Sequence, residues 1–379
     1  MKNNLGEMFL LQDENVFLNH GSFGACPKVV FDGYQEWQKL LEKQPVKFLT
    51  SDLYNYLENS RHELSEFVGC QEDEIAFFQN PTHAISCIIQ SLDLNKGDEI
   101  LMTNHEYGAL IRAWTEWGKQ KHINIIQNEI PIPVDNKDDF IRSFLSGITS
   151  KTKIIFMSHI TSSTALKFPV KEIISAAKDR GIITIIDGAH VPGHIPLDIN
   201  DLNCDFYTGA CHKWLCAPKG ASFLFVKKEH QKWIRPHVYS WGKKGDDPSN
   251  SEFLQDFQWQ GTRDMSAFLT IPIAIKFYHE KIQKHQNMCK EVIKDTGKIF
   301  SQILGTEPIY NNDEWIEQMV SHKLPDNAPQ NLKKILWNDY KIEIPIFEWN
   351  NCNYIRLSFQ VYNSQDDIEL LFHALKSLV

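Results

Sequence analysis

The chain has 379 residues, 42% of them hydrophobic and 23% charged, with a formal net charge of -9. That length supports a large core and two domains, while the acidic balance argues against broad binding to nucleic acid or to an anionic membrane surface. The apolar run in MKNNLGEMFLLQDENVF is too short for a secretory leader, and no stretch is long enough to span a bilayer. The eight cysteines are scattered, with no CxxC pair and no zinc-ligand spacing. They read as reduced thiols of a cytoplasmic protein, with no metal site expected.

In chain order, Asn15–Leu18 leads into Asn19-His20-Gly21-Ser22-Phe23-Gly24-Ala25-Cys26-Pro27. Two glycines and a proline predict a loop whose backbone approaches a ligand closely, or a plain turn. Lys28 to Gly69 reads as helical with a break around Pro45. Glu74–Phe78 is a short strand signal, followed by Gln79-Asn80-Pro81-Thr82-His83 and an apolar helical run, Ala84–Leu92. Strand, polar turn and helix start make an anion site in which Thr82 and His83 are placed to hold a phosphate. Asn80 as helix cap with Pro81 at the first helical position is compatible with that.

Asp98–Thr103 is the next strand, and Tyr107 at its end is either a ring to stack on a flat cofactor or simple packing. Ile123–Ile130 and Lys153–His159 follow, the latter running into the hydroxyl-rich Ile160-Thr161-Ser162-Ser163-Thr164. Val170–Arg180 reads as a helix and Ile182–Asp187 as a buried strand ending in a carboxylate. Strands alternating with helices predict a parallel sheet with crossovers, and the ligand then sits beyond the carboxyl ends of the strands. The polar loops near Phe78, Thr103, His159 and Asp187 therefore converge on one crevice.

The stretch Cys204–Tyr207 leads into Thr208-Gly209-Ala210-Cys211-His212-Lys213-Trp214, before another apolar run, Ala221–Val226. A lysine there, one strand beyond Asp187, suits an amine that forms a Schiff base with pyridoxal 5′-phosphate (PLP), with Asp187 keeping the pyridine nitrogen protonated. A surface lysine and an ordinary strand-end aspartate are the plainer pairing. Residues Trp233–Gln260 show little periodicity and read as a loop over the site or at a subunit contact. Trp259-Gln260-Gly261-Thr262-Arg263-Asp264 precedes a long helical stretch from Ser266 to about Leu304. The C-terminal part ends in a strand, Cys352–Phe359, carrying Arg356, and a helix from Ser364. An arginine on a strand suits bidentate binding of a carboxylate, or a surface ion pair.

With NHGSFG, SHITSSTAL, DGAH, GACHKW and WQGTRD assembled, the chain resembles the class V aminotransferase family of fold-type I PLP enzymes, in its isopenicillin N epimerase-like branch. The resemblance runs from Asn19 to the C-terminus. It implies an α/β fold: a large domain, residues 19–265, with a mostly parallel sheet flanked by helices, and a smaller α+β domain, residues 266–379. Residues 1–18 would pack on the smaller domain. It also implies Lys213 as the Schiff-base lysine, His212 near the phosphate, Asp187 on the pyridine nitrogen and His190 near the phenolic oxygen. Tyr107 would lie over the cofactor, with Thr82, His83 and Ser162 among the cofactor contacts. Thr262 would reach the phosphate of a neighbouring subunit in a homodimer with shared active sites. Arg356 would take the carboxylate of an amino-acid substrate, with Asn19 and His20 beside it. Three positions depart from the family pattern: Ala210, Ser162 and Pro81.

The reaction implied is PLP chemistry at the Cα of an amino acid through an external aldimine, with epimerisation the first expectation. A C–S lyase, acting on a cysteine conjugate or sulfoxide, is the alternative, and transamination follows the same first steps. A persulfide-forming desulfurase fits less well, because Trp337–Asn351 contains no cysteine. A non-catalytic PLP-binding protein is the reading from a different class.

Overall fold

The computed structural model describes residues 4–243 and 251–379. Twelve strands are present among them: β1 (Val16–Phe17), β2 (Ile75–Phe78), β3 (Glu99–Thr103), β4 (Asn124–Asn128), β5 (Thr152–Ser158) and β6 (Ile183–Asp187), then β7 (Phe206–Gly209), β8 (Ser222–Val226), β9 (Met319–Lys323), β10 (Ile342–Glu343), β11 (Ile346–Trp349) and β12 (Cys352–Ser358). Seven of these form one sheet in the order β2-β8-β7-β6-β5-β3-β4. Strands β7, β6, β5, β3 and β4 are mutually parallel, and β8 runs antiparallel between β2 and β7. The fold is the expected α/β architecture with a mostly parallel central sheet.

Both faces of that sheet are covered, and the strand sequences show why. Side chains alternate between faces along a strand. Ala76, Phe78, Ile154, Phe156 and Ile185 enter one apolar cluster, while Ile75, Phe77, Ile155, Met157 and Ile186 enter the other. A strand buried on both sides reads as a continuous apolar run, as these do. Parallel neighbours need long crossovers. The helices Gly108–Lys121, Lys137–Leu145 and Val170–Lys178 supply them between β3, β4, β5 and β6.

A second, three-stranded sheet has the order β11-β12-β9, all antiparallel. The helix Gln286–Leu304 packs on β9. Near the N-terminus, β1 pairs in parallel with β10, and Phe9 packs edge-on against Tyr362 at 4.9 Å between ring centroids.

Three segments differ from the sequence reading. The helical stretch from Ser266 to Leu304 is broken into Ser266–Leu269, Ile271–Phe277, a π-turn at Tyr278–Ile282, a 3₁₀ turn at Gln283–His285 and only then Gln286–Leu304. Pro272, which has no N–H to donate, opens the second piece. Within Trp233–Gln260, residues Glu252–Gln258 form a helix whose Phe253, Leu254 and Phe257 are buried in the same cluster as Phe78; residues 244–250 of that stretch lie outside the described residues. The expected open loop after Asn19 contains a helical turn, His20–Phe23. Gly24 ends that turn at φ 70°, and a Cβ there would lie 2.2 Å from the His212 carbonyl oxygen and 2.6 Å from that of Lys213. Glycine is required on both counts.

Candidate active site

A cavity of about 820 Å³ opens beyond the carboxyl ends of the large sheet. The loops after β2, β3, β5, β6 and β7 each send residues into it, joined by Ser22 and Phe23 from the N-terminal turn. The strand-end convergence expected from the chain order is therefore present.

Lys213 reaches this cavity from the loop after β7. Its Nζ lies 3.1 Å from His190 Nε2. Enclosure by protein pulls its pKa down to about 8; the Asp187 carboxylate opposes the fall and Arg356 adds to it. Burial, and then the Lys213 charge, hold His190 well below the ordinary imidazole range. Trp214, the next residue, gives its indole N–H to His190 Nδ1 at 3.3 Å and stacks on His194 with centroids 3.8 Å apart. On the other side of the loop, His20 Nε2 meets the Lys213 carbonyl oxygen at 3.1 Å.

Asp187 ends β6 and is buried, accepting the Ala189 N–H at 3.0 Å. Burial pushes its pKa up, while that N–H and the Lys213 charge pull it down. Ser158, at the end of β5, is its register partner. The Ser158 N–H (2.8 Å) and hydroxyl (2.5 Å) both go to Glu106 Oε2, and the Thr103 hydroxyl gives to Oε1 at 2.6 Å. Burial raises Glu106 to about 7 against those hydrogen bonds.

The Pro81–Ser91 helix begins at the cavity wall. Asn80 Oδ1 accepts the His83 N–H at 2.8 Å, the Asn80 carbonyl accepts that of Ala84, and Pro81 has none to give. That leaves the Thr82 N–H and hydroxyl, among the described residues, for an anion. His83 does not line the cavity. Its ring stacks on His237 at 5.1 Å, so its part in this turn is the capped backbone N–H rather than the imidazole.

Arg356 is buried on β12. One guanidinium nitrogen donates to the Ser162 carbonyl and hydroxyl, and the other gives to Ser22 Oγ at 3.0 Å. Its Nε has no partner, and no carboxylate pairs with it among the described residues. Ser22 and Ser162 both line the cavity. Asn19 and His20, expected beside the substrate, are engaged elsewhere. Asn19 donates to Glu343 and accepts from Ser22, while His20 is buried between Tyr362 and the Lys213 carbonyl. The helical turn swings Ser22 and Phe23 into the cavity in their place. Ser162, Tyr107, His190 and His212 all line it; Thr262 is exposed and does not.

The profile of the class V aminotransferases matches residues 23–371. The chain belongs to this family. It is 29% identical to isopenicillin N epimerase of Amycolatopsis lactamdurans, over 95% of this chain and 94% of that one. It is 28% identical to putative L-cysteine desulfhydrase 1 of Oryza sativa subsp. japonica, over 96% of this chain and 83% of that one. Among solved structures, the apo cysteine desulfurase of Thermococcus onnurineus NA1 superposes with a TM-score of 0.83 at 18% identity, covering 99% and 97% of the two chains, which is a likeness of fold.

As a member of the class V aminotransferase family the protein is a PLP-dependent enzyme, and the donor set fits that cofactor. An amine close to neutrality (Lys213) and a buried carboxylate (Asp187) face one cavity, with an unused N–H and hydroxyl at a helix start (Thr82) and an aromatic ring (Tyr107) on its wall. Lys213 would hold the aldehyde carbon, Asp187 the ring nitrogen and Thr82 the phosphate.

Several residues of this class V site were not singled out by sequence reasoning. Ser22 and Phe23 lie inside NHGSFG, a stretch expected to approach a ligand, but nothing in the spacing distinguishes them from Asn19 and His20. Glu106 and Ser158 read as loop and strand-end polar residues. Lys219, which also lines the cavity, sits in an APKG turn with the look of a solvated lysine.

Proposed function

We propose that this enzyme removes the Cα proton of an amino acid and returns a proton to the same carbon, an inversion like that of isopenicillin N epimerase. The observation that carries this reading is the pairing of a Lys213 amine whose pKa is pulled down to about 8 with a buried Arg356 that has no carboxylate partner among the described residues, both within electrostatic reach of one cavity. When bound, PLP supplies the electron sink that acidifies the Cα–H bond. Lys213 is the base, since an amine with a pKa near 8 is part neutral at physiological pH. Asp187 holds negative charge at the foot of the cavity and so favours a protonated ring nitrogen. Arg356, fixed by Ser22 and Ser162, would orient the substrate carboxylate through its fork. Tyr107 enters from the loop after β3 rather than that after β7, and its phenol is the group assigned to return the proton on inversion. The 29% identity to an epimerase across nearly the whole chain supports this choice.

A second reading uses the same deprotonation and then expels a sulfur substituent from the β-carbon. It is favoured by the absence of cysteine among the described residues lining the cavity, since direct release of a thiol or sulfide needs no persulfide-forming residue. The relative named L-cysteine desulfhydrase supports it. The experiment is incubation with L-amino acids and cysteine conjugates in deuterated water. Recovered amino acid with deuterium at Cα and mixed chirality supports inversion. Pyruvate with a sulfur product, and no inverted substrate, replaces it with the lyase.

The enzyme is further proposed to act as a homodimer, in which Thr262 serves the phosphate of the neighbouring site. Thr262 is exposed and follows Gly261 at φ 111°. Sedimentation velocity giving a fully active monomer would remove that proposal. A cytoplasmic setting is supported by eight unpaired cysteines. No helix among the described residues is long and apolar enough to cross a membrane.

A further inference from the structure

Trp214 has no part in the chemistry above, yet it sits one bond network away from the amine that does. Its ring is fully buried, stacked on His194 and 4.8 Å from His20 between centroids. An indole nitrogen only donates. His190 Nδ1, at 3.3 Å, is therefore the acceptor and carries no proton. The single proton of the neutral ring then sits on Nε2, 3.1 Å from Lys213 Nζ. An ammonium has three donors and no acceptor, so against Nε2–H it meets another donor. A neutral amine has a lone pair that accepts from it.

We propose that Trp214 is a positioning residue that locks His190 in its Nε2–H tautomer and thereby favours the uncharged amine of Lys213 over its ammonium. The proposal rests on Lys213 being the amine that takes the cofactor. It goes beyond that reading by assigning the cause of its readiness to a buried neighbour that is not among the residues lining the cavity.

The other charged and titratable groups facing this pair do not substitute for the indole. Asp187 favours the Lys213 ammonium and Arg356 disfavours it. His190 also faces Arg356, His194 and His20. Both neighbouring imidazoles are committed. His194 gives Nδ1–H to the His190 carbonyl and accepts the Gln318 N–H at Nε2, both at 2.9 Å. His20 gives Nε2–H to the Lys213 carbonyl and accepts the Tyr362 hydroxyl at Nδ1. Without the indole N–H, His190 is free to carry its proton on Nδ1 and offer the Nε2 lone pair to an ammonium, which raises the Lys213 pKa.

The test uses full-length protein stripped of PLP and then given PLP over a pH series. Borohydride traps the adduct, and mass spectrometry identifies the modified peptide. Trp214→Phe keeps a ring against His194. A second variant carrying benzothienylalanine at position 214 keeps the indole shape and lacks only the N–H, so a folding defect in the first does not decide the matter; circular dichroism checks both. The expected result is a midpoint of uptake raised by about one pH unit, which means about tenfold slower trapping at pH values below both midpoints and unchanged trapping well above them. His190→Phe and the His190→Phe/Trp214→Phe double variant should share one midpoint. An unchanged midpoint in both Trp214 variants overturns the proposal, as does a shift that persists in the His190→Phe background. Trapping on a peptide without Lys213 would instead overturn the assignment on which it rests.

Discussion

Ser158 and Asp187 face each other in register at the ends of neighbouring parallel strands, and Ser158 spends both its N–H and its hydroxyl on a third residue, Glu106. A second carboxyl is thus buried beneath the one that faces the cavity. Glu106 has a folded-state pKa of about 7 against an ordinary value of 4.5. The folded protein therefore binds a proton that the unfolded chain releases between those values. Its contribution is fully present below pH 4.5 and is lost as pH rises through 7, a total on the order of 3 kcal/mol. Urea unfolding of wild type and Glu106→Gln at pH 5 and pH 8 measures this. The wild type should lose stability relative to the variant between the two; a constant difference would contradict the assignment.

Lys213→Ala should lower turnover by about 10⁴-fold or more while leaving the thermal unfolding of the protein close to wild type. Ethylamine added to the variant should restore part of the activity, because a small free amine fits the space left. Retained turnover without added amine would remove Lys213 from the role of base.

Asp187→Asn keeps the shape of the strand end and removes its charge. Turnover should fall by about two to three orders of magnitude, with a much smaller change in KM, because the carboxylate acts on charge that develops during the reaction. Equal losses in kcat and KM-based affinity would mean that Asp187 only holds the cofactor in place. Absorbance titration of PLP binding separates the two effects.

Arg356→Lys replaces a fork held by Ser22 and Ser162 with a single ammonium that cannot match both partners. For a substrate with a free carboxylate, kcat/KM should fall about 10- to 100-fold. The corresponding amino-acid amide should lose little. If acid and amide suffer alike, Arg356 does not read the carboxylate.

Gly24→Ala would place a methyl group against the carbonyl oxygens of His212 and Lys213 at a backbone angle that disfavours a side chain. The expected destabilisation is about 2–4 kcal/mol, accompanied by slower PLP uptake as the lysine loop shifts. A variant with normal stability and normal uptake would show that the turn can move away freely.

The large sheet was legible because its strands are buried on both faces, so Ile75–Phe78, Thr152–Ser158 and Ile183–Asp187 read as apolar runs with no competing helical pattern. Lys213 and Asp187 were legible for a related reason: both stand where a strand gives out, and in a parallel sheet those ends share one edge. Glu106 was not. A glutamate three residues beyond a strand end, in a polar loop, looks solvated, and its burial is imposed from far away. Trp349 on β11 gives its indole N–H to the Asn104 carbonyl at 3.1 Å and packs on His105, across 245 residues of chain. The resemblance implies Asn19 and His20 beside the substrate, while the composition of NHGSFG indicates only an open loop or a turn. Its helical turn depends on His20 finding Tyr362 and the Lys213 carbonyl, partners that local composition cannot name. The breaks after Ser266 were hidden because a π-turn barely disturbs the apolar period that marks a helix.

The contact between His20 and Tyr362 joins residues 342 positions apart, and the same imidazole braces the backbone of Lys213. Such a closure forms late, since so long a loop must be brought together first. During synthesis, a nascent chain that has already emerged past Lys213 still lacks this brace and the β12 arginine. The lysine segment takes its working shape only after Tyr362 has been made, so the maturation of the amine is timed by a residue far downstream rather than by its own place in the chain.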